Sequence, residues 1–387
     1  MAAAGYIVAS IRTPVTRAAK GGLRATRPDD LGAFALSAAL ERAGVEASAV
    51  EDVILGCAMP EAEQGLNVAR MAALRAGIPV EASAVTVNRF CASGLEAIVM
   101  ASERISSGAD VILAGGAESM SMVPIVGNKP SVNPWLMEHR PDSYLGMGLT
   151  AERVAAKYQI TREAADAYSL ASHHKAIAAQ QAGRFDAEMI AVHTRVPDGA
   201  AWQPACITAD DGPRRETSLD ALAALRPAFH AHGVVTAGNS SQTSDGAAAA
   251  LVVSEQFLKR HNLTPLARIA GYATAGVEPG LMGMGPVTAI PRALQRAGIQ
   301  LGDIAVIELN EAFAAQSLAV IAAASLDPDR VNVNGGAIAL GHPLGCTGAK
   351  LMASLLSELR RRKARWGMIT LCVGGGQGVA AVIENLA

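Results

Sequence analysis

One unit of this chain occurs twice. Val85-Thr-Val-Asn88 leads into Cys91-Ala-Ser-Gly94, then a helical stretch, then Asp110-Val-Ile-Leu-Ala-Gly-Gly116. Val331-Asn-Val-Asn334 leads into Gly345-Cys-Thr-Gly348, then a helical stretch, then Met368-Ile-Thr-Leu-Cys-Val-Gly-Gly375. The shared Val-x-Val-Asn and Ser/Thr-Gly favour duplication of a strand–loop–helix–strand unit over the echoes any α/β protein shows. Two such halves packed face to face would set equivalent helix N-termini around one site.

The remaining pattern agrees with a layered α/β fold. Stretches 6–12, 53–55, 84–88, 111–114 and 247–253 carry the runs expected of buried strands. Stretches 67–76 and 93–107 read as helices, and another is expected from Pro28-Asp29-Asp30 onward with Asp as its cap. Between about 119 and 245 the texture changes. Pro124, Pro130, Pro134 and Pro141 punctuate loops, a helix is expected over 162–182, and the strand signal is Met189-Ile-Ala-Val192. This stretch reads as an insertion over one face of the sheet. It lies within an N-terminal half of residues 1–257, followed by a C-terminal half of residues 264–387.

Composition narrows the function classes. With 33 Lys+Arg against 35 Asp+Glu and 4% aromatics, a nucleic-acid surface is disfavoured. A chain that is 50% hydrophobic with net charge −2 is not disordered. No apolar run nears the roughly 20 residues of a membrane span, and the opening residues do not read as a secretory signal. Five cysteines without paired spacing argue against a disulfide framework and against zinc. A reducing, cytoplasmic location is expected. Gly374 and Gly376 fail as a dinucleotide fingerprint, because Val379 stands where a third glycine is needed.

Four loop residues are candidates for chemistry. Cys91 sits at a strand-to-helix turn, where a helix dipole and free N–H groups favour a thiolate nucleophile; most free cysteines are plain packing residues instead. His342, held between Gly341 and Pro343, can take a proton from a thiol or donate to an oxyanion. Cys372 follows a buried strand and precedes Gly374-Gly-Gly376, so it can act as acid or base in a dry pocket. Asn310, just after a strand at 304–308, can hold a water or an oxyanion, or simply cap the next helix. His173-His174 read as a solvated helix face, and Cys57, Cys206 and Cys346 as packing residues. Arg360-Arg-Arg-Lys363 reads as a cationic helix C-terminus.

Cys91-Ala-Ser, Asn310-Glu-Ala-Phe, Gly341-His-Pro and Cys372-Val-Gly stand in the order one enzyme family uses, and the chain closely resembles the thiolases. Gly115-Gly-Ala-Glu-Ser-Met-Ser121, Leu225-Arg-Pro-Ala-Phe229, Val235-Thr-Ala-Gly-Asn239 and Asp245-Gly-Ala-Ala-Ala249 agree as well. The resemblance implies a duplicated five-layered αβαβα fold with an inserted loop domain. It implies Cys91 as the acylated nucleophile, His342 as its activator, and Cys372 as the acid/base at the acetyl α-carbon. His342 with a water held by Asn310 would form one oxyanion hole, and the N–H groups of Cys91 and Gly374 a second. Coenzyme A is implied as co-substrate, with no metal and no permanently bound cofactor. Arg214 would approach its adenine and ribose, Ser241 the pantetheine, and Met147 and Met282 would line the tunnel. Family members often carry Ala-Ser-Gly after the asparagine, where this chain has Ser240-Ser-Gln242.

The implied activity is thiolytic cleavage of 3-ketoacyl-CoA by CoA, giving acetyl-CoA and a shortened acyl-CoA through a cysteine acyl-enzyme. Gly341-His-Pro-Leu-Gly-Cys-Thr-Gly348 and Lys20-Gly-Gly22 resemble the degradative acetyl-CoA C-acyltransferases of fatty-acid β-oxidation. The alternative is an acetyl-CoA C-acetyltransferase specific for acetoacetyl-CoA, since Leu371-Cys-Val-Gly-Gly-Gly376 also resembles biosynthetic members. A ketoacyl synthase would lack a second cysteine such as Cys372. A non-catalytic CoA- or lipid-binding protein would not need Cys91, His342 and Cys372 together. A bacterial homodimer or homotetramer is expected, and a β-oxidation multienzyme partner fits the resemblance.

Overall fold

The computed structural model describes residues 5–199 and 201–387. Its first half runs β1 (Tyr6–Arg12), β2 (Thr16–Arg17), α1 (Pro28–Ala43), β3 (Asp52–Gly56), α2 (Val68–Arg75), β4 (Ser83–Val87), α3 (Ser93–Ser106) and β5 (Val111–Ser119). An excursion follows: α4 (Pro134–His139), α5 (Met147–Tyr158), α6 (Arg162–Gln181), the hairpin β6 (Val192–Asp198) and β7 (Ala201–Ile207), and α7 (Leu219–Ala223). β8 (Ser244–Val253) returns to the sheet and is followed by α8 (Glu255–Arg260). The second half runs β9 (Ala267–Gly276), α9 (Gly285–Ala297), β10 (Val306–Leu309), α10 (Ala314–Ala323), α11 (Ala337–Leu340), α12 (Leu344–Arg362), β11 (Trp366–Val373) and β12 (Gln377–Asn385).

The strands pair in the orders β4-β3-β5-β8-β1 and β9-β12-β11-β10. The two halves join where Tyr6 and Ile7 meet Arg268 and Ala267. The long central strands are apolar on both faces, which demands cover on both. In β8, Ala247, Ala249, Leu251 and Val253 pack with Leu31, Leu36 and Ala72 of α1 and α2. Its alternate residues Ala248, Ala250 and Val252 pack with Leu95 and Ile98 of α3 and Met352 of α12. In β12, Val379, Ala381 and Ile383 face that same central cluster, while Ala380 and Val382 face Ile290 of α9 and Val320 of α10. The layers are therefore α1/α2, sheet, α3/α12, sheet, α9/α10, the five-layered fold that the resemblance implied.

The two central helices meet backbone to backbone. A Cβ on Gly94 would lie 2.7 Å from the Gly345 carbonyl oxygen, and one on Gly348 would lie 2.3 Å from the Leu95 nitrogen. The Ser/Thr-Gly shared by the two halves is thus where α3 and α12 touch.

Several local expectations differ from the structure. The expected Asp cap is absent: Arg27 occupies the cap position of α1, and no side chain caps it. Arg27 grips Asp29 at 3.0 Å, so Asp29 and Asp30 act as first-turn charges on the helix dipole. Val331-Asn-Val-Asn334 is not a strand, and only Val331 bridges Ile307. Asn332 turns left-handed at φ +46, and its side-chain amide takes the Leu309 N–H (2.9 Å) and donates to the Leu309 carbonyl (2.8 Å). A side chain does there what a paired strand does in the first half. Met189 makes a single bridge to Arg12, and β6 begins at Val192. The chain is pinned before that point by the buried Arg12–Glu188 ion pair at 2.7 Å. His173 is buried, not solvated, because the 212–214 loop covers α6 there and the Arg214 N–H donates to His173 Nδ1 at 3.2 Å. Cys206 is exposed on the β6–β7 hairpin, whereas Cys57 and Cys346 are buried as expected.

Candidate active site

Asn88, next after β4, shapes the turn that carries Cys91. Its Oδ1 accepts the Phe90 N–H (2.7 Å) and its Nδ2 donates to the Ala58 carbonyl (3.0 Å). Phe90 is left-handed at φ +42, a costly conformation for an aromatic residue. Ser93, the first residue of α3, takes the Arg89 N–H (2.8 Å) and donates to the Phe90 carbonyl (2.7 Å). The Cys91 sulfur lands among Ala58 and Leu344, and meets the backbone N–H groups of Cys91 and Gly374. Burial outweighs those N–H groups and pushes the thiol up to about 12, the reverse of what the helix N-terminus alone predicts. At neutral pH Cys91 is a thiol that needs a base.

His342 is the candidate for that base. α11 ends at Gly341 with φ +84, a conformation glycine adopts readily, and His342-Pro343 then leads into α12. The Thr347 hydroxyl donates to the Pro343 carbonyl at 3.0 Å, so at His342 Nδ1, 2.7 Å away, it accepts. Nδ1 therefore carries the proton and Nε2 keeps its lone pair. Asn310 Nδ2 donates to that Nε2 at 3.3 Å. Burial, with the charge of Lys350, pushes His342 down to about 3, so the imidazole is neutral near pH 7.

Cys372 lies fully buried near the end of β11, opposite Gly378 of β12. Burial, and then the charge of a neighbouring Cys91 thiolate, push its thiol upward. The Asn310 N–H donates to the Thr370 carbonyl at 3.0 Å, which ties it to β11 two residues before Cys372. Asn310 is not a helix cap, because Phe313 holds that position for α10. Its Oδ1 is buried with no partner among the described residues.

Cys372 sits in an apolar cluster with Met282 and Phe313, against which Met147 packs. The Ser241 N–H donates to the Ala312 carbonyl at 2.9 Å. The structure thus gathers Cys91, His342, Cys372, Asn310 and Gly374, with Met147, Met282 and Ser241 beside them. Arg214 stands apart and exposed. Two residues here escaped the sequence reading. Thr347 sets the imidazole tautomer, and its signal was its match to Ser93 in the repeat. Glu118 is a fully buried carboxylate that accepts the N–H groups of Ala58 (2.7 Å), Met59 (3.2 Å) and Gly345 (2.7 Å) and the Gln64 amide (2.8 Å). An acidic residue inside an apolar strand was its signal.

Residues 5–256 match the family model described as "Thiolase, N-terminal domain", and residues 263–385 match "Thiolase, C-terminal domain". The chain belongs to the thiolase family. It is 50% identical over 384 residues to a 3-ketoacyl-CoA thiolase of Bacillus subtilis, covering 98% of each chain. It is 45% identical to an acetyl-CoA acetyltransferase of Shinella zoogloeoides, over 100% of both. Among solved structures, human mitochondrial 3-ketoacyl-CoA thiolase in complex with CoA superposes with a TM-score of 0.90 at 41% identity, covering 99% of this chain and 98% of that one. Thiolases are acyltransferases with CoA as co-substrate. Among the described residues, no helix is long and apolar enough to cross a membrane.

Proposed function

We propose that this thiolase is an acetyl-CoA C-acyltransferase that cleaves 3-ketoacyl-CoA with CoA. The observation that carries this reading is the neutral His342, its Nε2 lone pair engaged by the long 3.3 Å bond from Asn310, in one buried region with two protonated thiols, Cys91 and Cys372. His342 Nε2 takes the Cys91 proton, and the sulfur attacks the C3 carbonyl of the substrate. The N–H groups of Cys91 and Gly374 stabilise the resulting alkoxide. The C2–C3 bond then breaks. The electron pair goes to the acetyl-CoA enolate, which protonated His342 and an Asn310-held water stabilise, and Cys372 protonates its α-carbon. The Cys372 thiolate so formed deprotonates incoming CoA, whose sulfur attacks the Cys91 thioester, and the released Cys91 thiolate takes its proton back from His342.

Met147, Met282 and Ser241 border this site and would line the CoA path, with exposed Arg214 toward the nucleotide end. A homodimer or homotetramer is in keeping with β4, which is an edge strand flanked by exposed Leu66 and Val80. Two halves, 1–257 and 264–387, with a loop domain at about 119–245, would place the catalytic loops at their junction. The degradative reading is supported by the Gly341-to-Gly348 signature and by the name of the Bacillus subtilis relative. Relatives named acetyl-CoA acetyltransferase support a second reading, specificity for acetoacetyl-CoA. Steady-state thiolysis of acetoacetyl-, 3-ketooctanoyl- and 3-ketopalmitoyl-CoA separates them. Comparable or higher kcat/KM on the longer substrates is expected; activity confined to acetoacetyl-CoA selects the second reading, and no turnover on any of the three rejects both.

A further inference from the structure

Gln242 stands where relatives often carry glycine, and it is bonded at both ends of the segment that presents His342. Its backbone carbonyl accepts the His342 N–H at 3.0 Å and the Ser244 hydroxyl at 2.8 Å. Its side-chain Nε2 lies 2.9 Å from the Ile338 carbonyl, 3.1 Å from that of Ala339 and 3.0 Å from that of Gly212. Ile338 and Ala339 belong to α11, directly before Gly341-His342. Gly212 packs onto the same turn, since a Cβ there would lie 2.3 Å from the Ala339 carbonyl oxygen. Two residues past Gly212 is Arg214, and one residue before Gln242 is Ser241, the two polar side chains expected along the CoA path.

One amide therefore ties the CoA-side segments to the helical turn that carries the base. Its two hydrogens are shared among three carbonyls, and its Oε1 is buried without a partner among the described residues. The imidazole it steadies is held at Nδ1 by Thr347 at 2.7 Å and at Nε2 by a long 3.3 Å bond from Asn310, a contact that a small shift of α11 would break.

We propose that Gln242 is a positioning residue that couples occupancy of the CoA nucleotide path to the placement of the His342 imidazole. This rests on the thiolase reading above, with CoA passing residues 212–214 and 241. Nucleotide binding at those segments steadies Gly212, the shared amide passes the restraint to Ile338 and Ala339, and the His342 imidazole keeps its place against Asn310. Misplacing a catalytic group by about 1 Å costs on the order of 100-fold in rate, so loss of this tie is felt in kcat.

The test uses Gln242→Met, which keeps length and removes the donors, and Gln242→Lys, which restores N–H donors toward the three carbonyls. Cys91 alkylation by iodoacetamide is followed against pH, with and without adenosine 3′-phosphate 5′-diphosphate, the nucleotide end of CoA. In the unaltered enzyme the nucleotide is expected to speed alkylation near neutral pH. In Gln242→Met that response disappears, and kcat for acetoacetyl-CoA thiolysis falls about 10-fold or more, with the acetoacetyl-CoA KM little changed. Gln242→Lys recovers both. The proposal is overturned if Gln242→Met keeps the nucleotide response and kcat, if the unaltered enzyme shows no response, or if Met and Lys lose activity equally with matching drops in Tm. An unaltered enzyme that does not cleave 3-ketoacyl-CoA at all rejects the thiolase reading instead.

Discussion

His342 Nδ1 lies 2.7 Å from the Thr347 hydroxyl, whose own hydrogen is already given to the Pro343 carbonyl. That pair decides which imidazole nitrogen is the base, and it links the loop before α12 to that helix's first turn. Thr347→Val keeps the shape and removes the acceptor. A buried N–H left unpaired costs roughly 1–3 kcal/mol, and the ring can then turn or change tautomer. We expect kcat to fall about 10- to 100-fold, while Thr347→Ser keeps most activity. Full activity in the Val variant would remove Thr347 from the account.

The two thiols have separable duties. Cys91→Ala should form no acyl-enzyme and show no turnover. Cys372→Ala should still be acylated at Cys91 by p-nitrophenyl acetate, whose leaving group needs no acid, as intact-mass measurement would record. Its thiolysis rate should fall by roughly 10²–10⁴, the usual worth of a general acid–base. Normal thiolysis by Cys372→Ala would assign the proton transfer elsewhere.

Acid should unfold the protein partly through its buried histidines. The ordinary histidine value is 6.5; His342 is pushed down to about 3 and His173 to about 4, by burial first in both cases. Between 6.5 and these values the unfolded chain binds protons that the folded chain refuses. Stability is therefore complete above about 6.5 and declines as pH falls toward 3, by an upper bound of order 5 kcal/mol for fully buried His342. Urea midpoints measured from pH 7.5 to pH 4 should drop, and His342→Asn should flatten the slope. A slope unchanged in that variant would show that other groups carry it.

Gly348→Ala should be severely destabilising. The added Cβ would meet backbone, not a flexible side chain, at 2.3 Å. Overpacking usually costs about 1–3 kcal/mol, and here α3 and α12 would have to separate, moving Cys91 from His342. A fall in Tm together with lost activity is expected; a variant stable and active as the parent would mean the helices can slide apart freely.

Much of this architecture is legible in local pattern. The strands around 53–55, 111–114 and 247–253 announce themselves because residues buried on both faces read as continuous apolar runs. Cys91, His342, Asn310 and Cys372 are legible because each stands at a strand end or in a glycine-rich turn and the four follow one family's order. The second Val-x-Val-Asn misled, since its strand role has passed to the side chain of Asn332, 23 residues from its partner Leu309.

Protonation at the site was not legible in the same way. Cys91 occupies a helix N-terminus, which locally favours a thiolate, yet its thiol is pushed up to about 12. Glu118 meets Gly345 from 227 residues away, and Gln242 meets Ile338 from 96. Neighbours in sequence set backbone turns and therefore where a side chain is mounted. A proton affinity depends on how much water is left around the group, and that is settled by the distant layers that fold over it.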